Sequence, residues 1–289
     1  MGRLFGRRNL FVETRLWVVA LACGLLVGLI MAGMRAAIVA IELVGFGAQD
    51  ERIASAVGSL HWVRVLLIPI IGGFVVSGLL YAGLKLGIRG DPRIGGIRDV
   101  VYARRHVLDR RGRYTPLVSM HMSIKDGIQT FLLAITSLGS GASAGREGPA
   151  VHIGAVLSGF MAHKFHFTPA QIRALLGCGA AAAVASSFNA PLAGLLFAHE
   201  VILGRYRISD IGPIAVASVS GSLVTRIIFG NDAVFVNPNI TNPPVAFFFG
   251  TPFMGLIAAG LAIVIIRAWL YAPEIGSRFA DKIPIPHWM

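Results

Sequence analysis

The chain has 289 residues, 55% of them apolar and 14% charged, with 35 glycines and a mean hydropathy of +0.71. This composition excludes a disordered tail, a collagen and a disulfide-stapled secreted domain, and a soluble enzyme of this length would need a more polar coat. The formal charge of +12 raises nucleic-acid binding, but no recognition motif or aromatic platform accompanies it, so no nucleic-acid partner is expected.

The apolar run 16–46, interrupted by Arg35, is too long for a cleaved signal segment and reads as a retained spanning helix. Residues 1–15, with Arg3, Arg7 and Arg8, are expected to form a cytoplasmic N-terminal segment. A second span is expected at 63–84, after a short loop holding Asp50, Glu51 and Arg52. Nine Lys and Arg residues follow between Lys85 and Arg113. Short cytoplasmic loops carry excess positive charge, so this stretch reads as a basic loop on the same side as the N-terminus. The later apolar segments, about 117–138, 147–164, 170–187, 190–204, 210–230 and 244–272, are bounded by Gly, Pro or Asn rather than by charged loops. That pattern predicts an all-α, polytopic membrane protein with broken and re-entrant helices whose ends stop inside the bilayer. Residues 276–289, ending Ile283-Pro284-Ile285-Pro286-His287-Trp288-Met289, read as a loop leading into something absent.

Cys23 and Cys178 lie alone inside apolar stretches, without a second Cys or a His at ligand spacing. No disulfide framework, metal site or cofactor is expected.

The stretch Gly139–Gly154 reads Gly-Ser-Gly-Ala-Ser-Ala-Gly-Arg-Glu-Gly-Pro-Ala-Val-His-Ile-Gly. A glycine-rich turn precedes an acid at a helix start, and Pro149 sits where a missing N–H does no harm. The first amides of such a helix have no internal partner, and the helix dipole adds positive potential there. Glu147 therefore reads either as a tethered competitor for a mobile anion or as an ordinary N-terminal cap. No Lys-Ser/Thr follows the glycines, which disfavours a phosphate-cradling loop. No strand pattern precedes them, which disfavours a dinucleotide site.

The stretch Ser186–Val201 reads Ser-Ser-Phe-Asn-Ala-Pro-Leu-Ala-Gly-Leu-Leu-Phe-Ala-His-Glu-Val. Together, GREGP at 145–149 and FNAPLAGLLFAHE at 188–200 closely resemble the CLC family of chloride channels and chloride/proton exchangers. The resemblance runs over about residues 16–275, the first half of a CLC membrane domain. It implies an inverted-repeat fold, a homodimer with one pore per subunit, and chloride or another small anion as the transported species. It also implies that Glu147 is the external gate, closing the anion path when charged, with Gly145, Arg146, Gly148 and Pro149 framing the helix start.

Two departures bear on mechanism. Where the family usually has GSGIP, this chain has Ile94-Gly95-Gly96-Ile97-Arg98, so Gly95, Gly96 and Ile97 offer an anion backbone N–H groups but no hydroxyl. Arg98 replaces the proline and is read as part of the basic loop. Exchangers of the family usually carry two adjacent acids after FNAPLAG, whereas this chain has Glu200 and then Val201. Valine carries no proton, so channel-like passive conduction is preferred over proton-coupled exchange. Glu200 and His199 are the candidate substitutes for a proton relay, and pairing of Glu200 with Arg205 or Arg207 is the bland alternative.

Other residues carry weaker expectations. His152, one turn beyond Glu147, is expected either to tune that gate or simply to pack. Lys125 and Asp126 neutralise one another or mark a span end, and Phe247, Phe248 and Phe249 anchor the last helix at an interface. The sequence thus predicts an integral membrane transporter, placed in a bacterial inner membrane, with the lipid bilayer, small anions and, if exchange is retained, protons as partners. It is not expected to be an enzyme. The competing classes are a membrane-embedded acid/base enzyme using Glu147 and His152, and an inactive membrane scaffold.

Overall fold

The computed structural model describes residues 2–47, 58, 60–88, 95–108, 122–230 and 246–280, with side chains from Thr14 onward in the first helix and at 249–268, 270 and 271 in the last. The described elements are helices: α1 (Gly2–Phe46), α2 (Trp62–Lys85), α3 (Ile97–His106), α4 (Ile124–Gly139), α5 (Glu147–Lys164), α6 (Pro169–Phe188), α7 (Pro191–Phe197) running into a π-helical turn (Ala198–Leu203), α8 (Ile208–Phe229) and α9 (Ala246–Ala280). Five of these helices contain stretches long and apolar enough to cross a membrane: Thr14–Phe46, Trp62–Lys85, Pro169–Phe188, Ile208–Phe229 and Phe249–Ala268. Residues 1–234 and 235–289 form two compact units, and α9 belongs to the second.

Several helix starts follow from local sequence. Ser123 and Asp126 form a reciprocal capping box at α4: Ser123 N–H donates to Asp126 Oδ2 at 3.0 Å and Asp126 N–H to Ser123 Oγ at 3.2 Å. Asp126 is thus a buried cap, 1% exposed, beside exposed Lys125, and both residues mark the end of the span, one of the two readings the sequence offered. Thr168 and Gln171 build the same box at α6, with Pro169 in its first turn. At the far end of α1, Arg64 donates Nε to Gly45 O at 2.7 Å and Nη2 to Val44 O at 2.8 Å, satisfying carbonyls that a helix end leaves without partners.

The core gathers around α6, whose small residues from Gly177 to Ser186 are almost all buried. α5, α7, α8 and α1 all pack on it. Small side chains let backbones approach: a Cβ on Gly154 of α5 would run into the carbonyl of Gly179 on α6, and a Cβ on Gly28 of α1 would stand 2.7 Å from Gly221 O on α8. The outward residues are large and apolar, including Leu66, Ile70, Phe74, Val219, Leu223 and Ile227. A water-facing coat would not look like this; hydrocarbon suits it.

One element departs from the sequence expectation. The basic stretch after Lys85 is not wholly a loop, because α3 lies inside it. Val100, Ala103 and Val107 share its inner face and are fully buried, while Arg98 and Arg105 stay exposed. Charge masked an apolar period of three to four residues. Helix α1 begins at Gly2, so residues 2–15 continue the first span as helix. Asp50, Glu51, Arg52, Ile94, Arg110, Arg111, Arg113 and the ending at 283–289 lie outside the described residues, as do the side chains of Phe247 and Phe248.

Candidate functional site

Helix α5 starts at Glu147 after the loop Ser140–Arg146. Gly141 takes φ +93°, a conformation that L side chains rarely adopt, so the loop turns sharply there. Within the described residues, the amides of Gly145, Arg146, Glu147 and Gly148 have no hydrogen-bond acceptor, and the first bond of the helix is Ala150 N–H to Arg146 O at 3.0 Å. The Glu147 side chain folds back over this start: its Oε2 lies 2.5 Å from where a Cβ on Gly145 would stand. A side chain at 145 would evict the carboxylate. Glu147 is half-buried, and a Cβ on Gly148 would meet nothing within 4 Å.

Arg146 ties this start to the second motif by donating Nη2 to Ser187 O at 3.2 Å. Two residues on, Asn189 ends α6 in the left-handed region, φ 54° and ψ 34°. Its Oδ1 accepts from Ser222 Oγ at 3.0 Å and from Arg226 Nε at 2.5 Å, both on α8. The start of α7 is held by Ser218 Oγ donating to Pro191 O at 2.6 Å. GREGP and FNAP, far apart in sequence, thus meet at one end of α5, α6 and α8.

A cleft of about 420 Å³ opens beside Glu147, lined by Arg35, Ile38 and Glu42 of α1, Leu138, the loop from Gly141 and Arg146. Glu42 is a buried carboxylate and Arg35 sits 4.6 Å from the centroid of Phe229. Sequence reading marked Arg35 only as an interruption of a span and missed Glu42. A periodicity argument had a signal for them, since positions 35, 38 and 42 share a helix face.

The other candidate anion motif is differently furnished. Gly95 N–H donates to Thr130 Oγ1 on α4 at 3.3 Å, and Gly96 N–H donates to Asp99 Oδ2 at 3.2 Å. Two of the expected donors therefore already have protein acceptors, while the amides of Ile97 and Arg98 have none within the described residues. Asp99 in turn lies 3.8 Å from Nδ1 of His152, so His152 faces α3 rather than standing alone on α5. Thr130 and Asp99 were missed in the sequence, although an acid three residues after Gly96 is a helix-start signature.

The relay candidates separate. His199 is 1% exposed, its Nδ1 sits 3.2 Å from Arg205 O, its ring stacks on Tyr206 at 5.3 Å, and Nε2 has no partner within the described residues. Glu200 is exposed and forms no ion pair there; Arg205 instead approaches Asp210 at 3.8 Å, which displaces the expected Glu200–Arg205 pairing. Both candidates lie on the π-helical turn, whose Ile202 carbonyl accepts from Arg104 Nε of α3 at 2.9 Å. Burial and the nearby guanidinium groups of Arg105, Arg205 and Arg173 lower the Arg104 pKa from its ordinary value. No group of His, Cys, Asp and Glu that could hold a metal forms among the described residues.

Comparison with known proteins matches the same region. The voltage gated chloride channel family model matches residues 72–288. A protein of Ralstonia nicotianae described as ClcB-like is 31% identical over 196 residues, which are 66% of this chain and 42% of that protein. A voltage-gated ClC-type chloride channel, ClcB, of Escherichia coli strain K12 / DH10B is 30% identical over 225 residues, 78% of this chain and 50% of that protein. The chain thus spans about half the length of the curated relatives it matches. Among solved structures, a slow cyanobacterial Cl−/H+ antiporter superposes with a TM-score of 0.69 at 22% identity, covering 95% of this chain and 59% of that one. A CLC-type fluoride/proton antiporter gives 0.64 at 20% identity, covering 95% and 61%. The helical fold, the two motifs meeting at one end of α5 and the matched span lead to one conclusion: this integral membrane chain belongs to the voltage-gated chloride channel, or CLC, family.

Proposed function

We propose that the protein moves chloride or a similar small anion across a membrane, with Glu147 as a titratable plug and Gly145, Arg146 and Gly148 supplying amides that replace the anion's hydration. The observation that carries this reading is a set of helix-start amides without acceptors among the described residues, with the protein's own carboxylate folded back beside Gly145. A carboxylate there and a passing anion compete for the same positive potential. Protonation removes the competitor, and permeation then needs binding loose enough to release the ion. In this reading Gly95, Gly96 and Ile97 line the deeper anion site, the working unit is a homodimer in a bacterial inner membrane, the N-terminus is cytoplasmic, and the protein is a transporter rather than an enzyme.

The test is chloride efflux from proteoliposomes holding the full-length protein. Efflux is expected to rise as external pH falls, and Glu147→Gln is expected to be fast and nearly independent of pH. Unaltered pH dependence in that variant would refute the gate.

Passive conduction is favoured by Val201, which cannot carry a proton. Proton-coupled exchange is the second reading, supported by one observation: buried His199 keeps a ring nitrogen with no partner among the described residues beside Glu200. Uphill proton movement driven by a chloride gradient, lost in His199→Gln, would decide for exchange.

A further inference from the structure

The two candidate helix starts each carry a carboxylate, but under opposite physical conditions. Glu147 on α5 is half-buried at the edge of an open cleft. Asp99 on α3 is 4% exposed, with its Oδ2 on Gly96 N–H at 3.2 Å and its own N–H on Gly96 O at 3.1 Å. An acid at this position is ordinarily just a cap. What sets this one apart is His152, fully buried on the gate helix, whose Nδ1 lies 3.8 Å from the same Oδ2. His152 follows Glu147 by five residues, ~7.5 Å along the helix axis. The helix that carries the gate thus also sets a buried imidazole beside the carboxylate that occupies the Gly96 amide. Burying a carboxylate is costly unless it is hydrogen-bonded, and here the Gly96 amide bonds it while the imidazole packs 3.8 Å away.

We propose that Asp99, oriented by His152, is the positioning residue that sets anion affinity at the start of α3, by holding the Gly96 amide away from the permeating ion. This inference rests on the anion-transport reading. An anion arriving at α3 finds the Ile97 and Arg98 amides without acceptors among the described residues and the Gly96 amide taken. To use the third donor it must displace a charged acceptor, whose bonds are about twice as strong as neutral ones. Asp99 thereby keeps the site loose, and loose binding permits rapid release. The link to α5 also registers the two helix starts, so that the gate and the deeper amides stay on one path.

The experiment uses the full-length protein and chloride itself. Asp99→Asn keeps the shape and replaces a charged acceptor with a neutral one; it is expected to bind chloride about tenfold more tightly by calorimetry in detergent, equivalent to about 1.4 kcal/mol. In liposomes the same variant should lower both the half-saturating chloride concentration and the maximal efflux. A merely structural role would reduce efflux without tightening binding, and that result would overturn the proposal, as would unchanged affinity. His152→Gln supplies a second variant: if His152 orients Asp99, its effect and that of Asp99→Asn are non-additive, and additivity overturns the coupling. Glu147→Gln is measured in parallel. Loss of its pH dependence together with unaltered affinity in Asp99→Asn would reject this proposal and keep the gate. Tighter binding in Asp99→Asn with an unaltered pH profile in Glu147→Gln would do the reverse.

Discussion

Asn189 offers a test of how the site is held, because its two functions can be separated by substitution. The residue ends α6 at φ 54°, a region that costs an ordinary L-residue about 1–2 kcal/mol and that Gly and Asn tolerate. Its Oδ1 also accepts from Ser222, which is 1% exposed, and from exposed Arg226. Asn189→Ala therefore incurs about 1 kcal/mol for the backbone. Leaving the Ser222 hydroxyl buried without this acceptor costs about 1–2 kcal/mol, and losing a solvent-exposed bond to Arg226 costs roughly 0.5 kcal/mol. The sum is about 3 kcal/mol. Asn189→Gly relieves the backbone term and should recover about 1 kcal/mol, whereas Asn189→Asp keeps both the acceptor and the tolerance and should stay near the parent. Thermal unfolding in detergent, followed by tryptophan fluorescence, should rank the variants Asp, then Gly, then Ala. Equal melting of the Gly and Ala variants would remove the backbone argument. Equal melting of the Asp and Ala variants would show that Oδ1 holds nothing.

Other consequences are checked more simply. Gly154→Val places two methyl groups where α5 meets the Gly179 carbonyl, with Ala183 Cβ 3.1 Å from the added Cβ, and should destabilise by about 1–3 kcal/mol, read as a lower melting temperature. Ser123→Ala removes half of the α4 capping box and should cost about 1 kcal/mol by the same assay. Cys23 and Cys178 are both fully buried, so a maleimide probe should label neither in the folded protein and both after denaturation; labelling under native conditions contradicts the packing of α1 and α6. Arg104→Met removes the Nε bond to Ile202 O and should loosen the π-helical turn, seen as faster amide exchange at residues 202–204.

Residue order alone was enough for the membrane character, the broken helices and the helix start at Glu147. Their causes are local: a run of apolar residues has to be helical in hydrocarbon, and Gly-rich turns with Pro just after them mark helix starts wherever they occur. The spans at 63–84, 170–187 and 210–230 came within a few residues of α2, α6 and α8 for that reason. Helix α3 was hidden by its charges, since a basic surface face and a basic loop have the same composition and differ only in what the intervening residues bury. Packing alone decided the partners. His152 reads as a neighbour of Glu147 in the chain yet faces Asp99, and Arg205 reads as a partner for Glu200 yet approaches Asp210. Hydrogen-bond reach is about 3 Å, and chain separation does not limit which groups come that close once helices stack. Small residues on α6 let α5 and α8 approach until Arg146, Ser187, Asn189 and Arg226 meet, and that closeness belongs to the tertiary structure.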